Sequence, residues 1–423
     1  MLSRLESTGQ SYEFFNTKVE NTSFLAGQRD TLREMKRLLG AVMGVLLAVA
    51  AQPALAADVA WEPWQRIAGV VDVDGPRTDG SLIVAGSGAL YLVDQAGQIT
   101  PFARGLGGYR DDAGAEAYLA RSPGAAVSAA GCSFTPDDTF VLRLHIPIGI
   151  NRVSASGEES GSFANLTGVT TLNGIAFDTT GAFDHRLLVS GPSRGKSTIF
   201  AIDCMGEVKV ITRSAPALEG GLAVAPSTFG AFGGALIAPD ELSGKIYAIT
   251  AGGAVSIVAK PSLKVGADIG VEGVGFVPAG FMSRGGAAYY ADRLARNNPH
   301  PGSDSLLRLT SEQLGSAGVN DGDLLAATEG GATLVAVRCD ASCKVIPVVT
   351  KETRAHGEGH IAFVMNPAPP RPIASTPDAG TVLSISPRLV QFFGEWGIPA
   401  TALVLLVALL SFLGVRSLRR RAR

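Results

Sequence analysis

The chain has 423 residues, with 36 Lys and Arg against 38 Asp and Glu, for a formal net charge of −2. That balance lacks the basic surplus of a phosphate-binding surface and argues against a nucleic-acid partner. Only 17% of residues are charged while 46% are hydrophobic, which excludes a disordered chain and allows one large core or two smaller ones.

In chain order, residues 1–34 are polar and aperiodic, and we read them as a non-native or disordered leader, with translation expected to start at Met35. Met35-Lys36-Arg37 is basic, Leu38 to Ala51 carries no charge, and Ala54-Leu55-Ala56 ends in the small-x-small pattern of a cleavage site. These parts in that order define a secretory signal peptide over 35–56, so an extracytoplasmic location is expected. The region from Ala57 to Val390 then holds 25 basic and 32 acidic residues, a formal charge of −7.

From Asp79 onward, short aliphatic runs alternate with Gly, Pro, Asp and Ser. A two-strand pattern joined by a turn recurs: LYLVDQAGQITPFA from Leu90, IFAIDCMGEVKVIT from Ile199, IYAITAGGAVSIVA from Ile246 and LVAVRCDASCKVIPV from Leu334. Weaker copies are INRVSASGEESGSFA from Ile150 and LLRLTSEQ from Leu306. A strand entered through Gly precedes several of them, as LNGIAFD at Leu172, EGGLAVAP at Glu219, VEGVGFVP at Val271 and EGHIAFVM at Glu358. A third strand lies between, as in RLLVS at Arg186, ALIAP at Ala235 and AAYYAD at Ala287. Three or four antiparallel strands repeated over some 45–60 residues predict an all-β chain folded as a β-propeller over 57–365. The count is about six blades; the short gap between the Leu306 and Leu334 copies keeps five or seven open, and a β-sandwich pair is the rival. EGHIAFVM is expected to supply the inner strand that the blade at Asp79–Ala103 lacks, closing the ring.

After the last strand, residues 366–396 begin with a Pro-rich stalk, extended and semi-rigid. Gly397 to Val415 is 19 residues without a charge, followed by Arg416, Arg419, Arg420, Arg421 and Arg423. The span and its positive flank predict one transmembrane helix over 397–415 with a basic cytoplasmic tail at 416–423, hence type I topology at the cell membrane. The tail also resembles the carboxy-terminal tripartite signals read by exosortase-type transpeptidases, although it has no Pro-Glu-Pro or Ile-Pro-Thr-Leu motif.

The four cysteines, Cys132, Cys204, Cys339 and Cys343, are expected to form two disulfides in an oxidising compartment. Cys339 and Cys343 straddle a hairpin tip and pair locally, which leaves Cys132 for Cys204. A metal reading of Cys339 and Cys343 is weaker, for want of a second ligand pair at zinc-like spacing.

Inner strands of a propeller bring their equivalent ends to one mouth. Those ends are Asn173, Glu219, Glu272 and Glu358, each directly before a Gly. One amide and three carboxylates offer oxygen ligands to calcium or another divalent cation, and His356 and His360 beside Glu358 turn the preference toward a transition metal. The same residues also fit a solvated, ligand-free channel mouth. His145 and His185 read as structural, and His300 belongs to a loop from Arg293 to Ser303 positioned to cover the channel or touch a partner.

On these features the chain resembles, over roughly 80–365, the gluconolactonase/regucalcin-like six-bladed propellers, and more loosely the strictosidine-synthase-like and NHL-repeat ones. The resemblance implies an axial metal held by Glu, Asn and Asp at inner-strand ends, with an Asp assisting hydrolysis. Asn173 in Asn-Gly-Ile-Ala-Phe matches the family's Asn-Gly start, and Glu358 is the matching carboxylate. No Asp-Gly start supplies the family's Asp unless Glu219 or Glu272 replaces it. Two functions follow as expectations: a surface-displayed module binding a small-molecule, glycan or protein ligand, or a metal-dependent lactonase/esterase-like hydrolase of exported small molecules.

Overall fold

The computed structural model describes residues 59–110 and 116–366; the expected signal helix, membrane span and tail lie outside them. Among the described residues the chain forms six four-stranded antiparallel sheets in a closed ring, with a small two-stranded ribbon, two short α-helices and one 3-10 helix. The chain is a six-bladed β-propeller.

Blade one runs Asp72–Asp74, Leu82–Gly86, Ala89–Val93 and Ile99–Phe102 from axis to rim. Blades two, three and four begin at the axis with Leu119–Arg121, Gly174–Phe177 and Ala223–Val224. Blade five has the inner strand Val271–Phe276, and blade six has Gly357–Met365. The Gly-led segments are thus the innermost strands, as their small residues require. A Cβ on Gly221 would sit 2.5 Å from the Gly359 carbonyl oxygen, and one on Gly275 would sit 2.1 Å from that of Ile361. At the axis the inner-strand segments approach more closely than any side chain allows, between adjacent blades at Gly275 and across the ring at Gly221.

Two details correct the expected closure. EGHIAFVM does not serve the first blade, which has its own inner strand in Asp72–Asp74; it completes the sixth. There it pairs with Gly286–Asp292, then Ser305–Thr310, and the outermost position goes to the N-terminal strand Glu62–Arg66. The Leu306 copy is accordingly a strand with no hairpin partner of its own. Thr310 ends it and caps the helix Ser311–Ser316, its side chain accepting from the Gln313 backbone N–H while Gln313 reaches back. The chain also interleaves the last two blades. The inner strand Val271–Phe276 waits for its neighbour Leu324–Thr328 while two strands of blade six are laid down between them. This interleaving explains the short gap between the Leu306 and Leu334 copies.

Six apolar clusters fill the six interfaces between blades. Between blades two and three, Phe134 meets Phe140 and Phe177 edge-on with ring centroids 5.5 and 4.9 Å apart. Such pairs add about 0.5–1.5 kcal/mol each beyond their buried area. The disulfide Cys132–Cys204 ties the same two blades, and Cys339–Cys343 closes a hairpin of blade five.

On the axis, Asp72 is fully buried and accepts hydrogen bonds from the backbone N–H groups of Val73, Leu119 and His360, each at 2.8 Å. The His360 ring donates from Nδ1 to Asp72 at 2.9 Å and from Nε2 to the Ile175 carbonyl at 2.7 Å. Blades one, two, three and six are thereby pinned at one point, which plugs the channel.

Candidate functional site: an acidic mouth with a candidate metal centre

The backbone geometry decides what faces the mouth where the inner strands begin. Glu272 and Glu358 lie at inner-strand starts, and Tyr118 immediately precedes the inner strand of blade two. Each second strand runs antiparallel to its inner strand and so returns to the same mouth. That return places Glu241, Arg293 and Glu329 there, each just after a second strand.

The Tyr118 hydroxyl lies 2.8 Å from Glu272 Oε1 and 2.7 Å from Glu358 Oε2. A phenol has one proton, so the second contact needs a proton on a carboxyl. Glu272 fits that role: burial, then the charges of Glu358, Glu329 and Glu219, push its carboxyl well above the usual range. Its other oxygen, Oε2, is buried without a hydrogen-bond partner. Arg293 Nη1 bonds Glu358 Oε1 at 3.0 Å and also bonds Glu116. His356 Nε2 stands 2.9 Å from Glu329 Oε1 and 3.3 Å from Glu358 Oε1.

Electrostatics at this mouth are dominated by crowded carboxylates. Burial, then repulsion by Glu241 and other acids, raises Glu219 to about 7. Burial, then a hydrogen bond and charge from Glu329, raises Glu241 to about 8. Glu116 and Glu329 are raised as well, first by burial. Burial alone would lower His356, but Glu329 and Glu358 reverse this and hold its imidazole at about 10. Among the described residues, the counter-charges bonded to these carboxylates are the Arg293 guanidinium and the His356 proton, while Lys196 and Arg296 line the adjoining cavities.

Glu329, His356 and Glu358 are all buried, and one ligand atom from each lies within 4.8 Å of the others. The fit to a cation is geometric. Metal–ligand bonds of ~2.1 Å separate adjacent ligands by about 3.0–3.4 Å, and the observed N···O separations are 2.9 and 3.3 Å. A mixed nitrogen and carboxylate donor set suits manganese or zinc better than calcium, which prefers oxygen throughout.

The sequence-predicted ligands divide. Glu358 belongs to this set, and Glu272 adjoins it through Tyr118. Glu219 is partly buried and lines a cavity with Glu116 and Tyr118. The Asn173 amide donates to the Leu218 carbonyl and accepts from Ser190 Oγ at 3.0 Å, so blades three and four use it internally. His360 is corrected: both ring nitrogens donate in the axial plug, and no lone pair remains for a metal. His356 lies beside Glu329 and Glu358. His300 is buried and its Nδ1 meets the Thr353 carbonyl at 2.9 Å, while its loop contributes Arg293 to Asn298 to a mouth cavity of about 380 Å³ with Glu116, Asp268 and His356.

Gly357 fixes the spacing of His356 and Glu358. A Cβ there would lie 2.2 Å from the ring of the fully buried Tyr290. Gly357→Ala is expected to cost about 1–3 kcal/mol through overpacking. It should weaken manganese binding at the same time, because both flanking ligands move. Thermal melts and a manganese titration of this variant check both effects.

No family model and no curated protein matches the chain. Solved structures similar to it include a calcium-binding protein, regucalcin, from Agrobacterium tumefaciens str. C58, at 12% identity and TM-score 0.39, covering 71% of this chain and 83% of that one. A gluconolactonase-like protein is similar at 12% identity and TM-score 0.40, covering 74% and 96%. Virginiamycin B lyase from Staphylococcus aureus is similar at 14% identity and TM-score 0.38, covering 72% and 96%. The propeller assignment rests on the six sheets.

Proposed function

We propose that the chain is a membrane-anchored, extracytoplasmic ligand-binding propeller whose mouth holds a divalent cation on Glu329, His356 and Glu358. The observation carrying this reading is the buried two-carboxylate, one-imidazole set at coordination spacing, in a mouth with more carboxylates than counter-charges. A bound cation would take over the neutralising role of the His356 proton and draw Glu358 away from Arg293. The signal-peptide pattern and the apolar span with its Arg cluster support export and anchoring.

Titration calorimetry of the full chain with manganese tests the reading. One site is expected, with affinity rising from pH 6 to pH 8 because His356 must shed its proton to ligate. His356→Ala and Glu358→Gln should each weaken it by at least about 100-fold, beyond the 10–100-fold typical when only a group supporting a ligand is changed. Unchanged binding in both variants would sink the reading.

A second reading, a metal-dependent hydrolase of the lactonase or esterase type, is favoured by Glu219. Burial and the neighbouring acids raise its carboxyl to about 7, into the range that suits a group accepting a proton from water at neutral pH.

A further inference from the structure

Beside the candidate metal centre lies a cavity of about 360 Å³ lined by Glu116, Tyr118, Leu144, Leu172, Leu218 and Glu219 among others. We propose that this cavity takes an organic cation: an aliphatic amine whose ammonium sits on Glu219 and whose short apolar body lies against the leucines. The proposal deepens the ligand-binding reading by naming the ligand class, and it rests on that reading.

Four observations carry it. First, the Glu219 carboxylate faces this cavity while accepting no hydrogen bond from the described residues; its one hydrogen bond is made by its backbone N–H to the Pro239 carbonyl. Second, Glu272 lies directly behind it. A Cβ on Gly220 would stand 2.5 Å from the Glu272 carboxyl carbon, so that carboxyl packs against the residue following Glu219. Glu272 is 2% exposed and its Oε2 has no hydrogen-bond partner. Third, no described basic side chain makes an ion pair with Glu219: Arg293 serves Glu116 and Glu358, and Lys196, which lines the same cavity, is exposed. Fourth, Leu144, Leu172, Pro192, Ala217 and Leu218 give the cavity apolar walls, which suit methylenes rather than a second charge.

An amine is ammonium at neutral pH, its charge favours the ionised form of Glu219, and its three donors match that acceptor-only carboxylate in a cavity that Tyr118 also lines. An anionic ligand would meet the opposite field, so carboxylates and phosphates are excluded from this cavity in the same stroke.

The test is calorimetry of the full chain with n-butylamine, 1-butanol and butyrate, each run with EDTA and again with saturating manganese. The amine should bind measurably more tightly than the isosteric alcohol, and butyrate should not bind. Glu219→Gln should cost about tenfold in amine affinity, the loss of one charge-assisted hydrogen bond, while manganese still binds at one site and is weakened far less than in Glu358→Gln. Lys196→Ala should leave amine affinity equal or higher. Butylamine binding no better than butanol, or unchanged in Glu219→Gln, would overturn the proposal. Loss of manganese binding in Glu219→Gln would also overturn it, by making that side chain a metal ligand. Failure of the metal reading shows separately, as absent manganese heat with the amine result intact.

Discussion

Asp72→Ala lowers the unfolding free energy by about 3–5 kcal/mol, the usual cost of stripping one partner from a buried ion pair. The loss is large because Asp72 accepts from three backbone N–H groups and from the His360 ring, so its removal orphans buried donors in blades one, two and six together. Urea denaturation of the variant and of the double variant Asp72→Ala/His360→Leu measures it. The double variant should be the more stable of the two, since an unpaired buried imidazolium no longer remains. The pair also has a pH signature. Burial opposes the imidazolium, but Asp72 prevails and raises His360 to about 9. A raised imidazole stabilises fully below its unfolded pKa near 6.5 and loses that contribution as pH climbs through 9.

Without metal, stability falls as pH rises from about 5 to about 8. The folded state holds protons on Glu219 and Glu241 up to about 7 and about 8, whereas the unfolded chain releases them near 4.5. Between those limits the unfolded state binds fewer protons, so the slope of stability against pH is negative. After allowance for the partial exposure of Glu219 and the coupling of Glu241 to Glu329, these two carboxyls account for about 3 kcal/mol of the loss, and the raised His356 and His360 add to it above pH 6.5. Saturating manganese should return a similar amount, about 2.7 kcal/mol at a hundredfold excess over Kd. Melting temperatures at pH 5 and pH 8, each with EDTA and with manganese, check the sign. A flat or rising profile in EDTA would contradict the crowding of carboxylates on which the site depends.

Much of the fold was legible because a propeller writes itself locally. Hairpins such as Leu90–Ala103 carry their own turn glycines, and strands such as Leu172–Asp178 announce the axis through residues too small to clash there. The interleaving of blades five and six was not legible. Nothing near Val271 signals that its neighbour arrives only at Leu324, because strand choice there is settled by packing across the chain. The site divides the same way. Glu272 and Glu358 were found from the Gly-led repeat, but Glu241, Arg293 and Glu329 follow second strands and carry no repeat signature. They become visible once antiparallel return to the same mouth is applied. Tyr118 precedes an inner strand without a Gly, so the pattern passed over it. His360 misled because its nearness to Glu358 in sequence hides a reversal: two residues along the strand, the side chain points into the plug rather than the mouth.

The most direct test of the central claim is anomalous diffraction from crystals of the full chain grown with manganese. One strong peak is expected within coordinating distance, about 2.0–2.4 Å, of Glu329, His356 Nε2 and Glu358, with Arg293 withdrawn from Glu358. Density for His356 still hydrogen-bonded to both carboxylates, with no peak between them at saturating manganese, would contradict it.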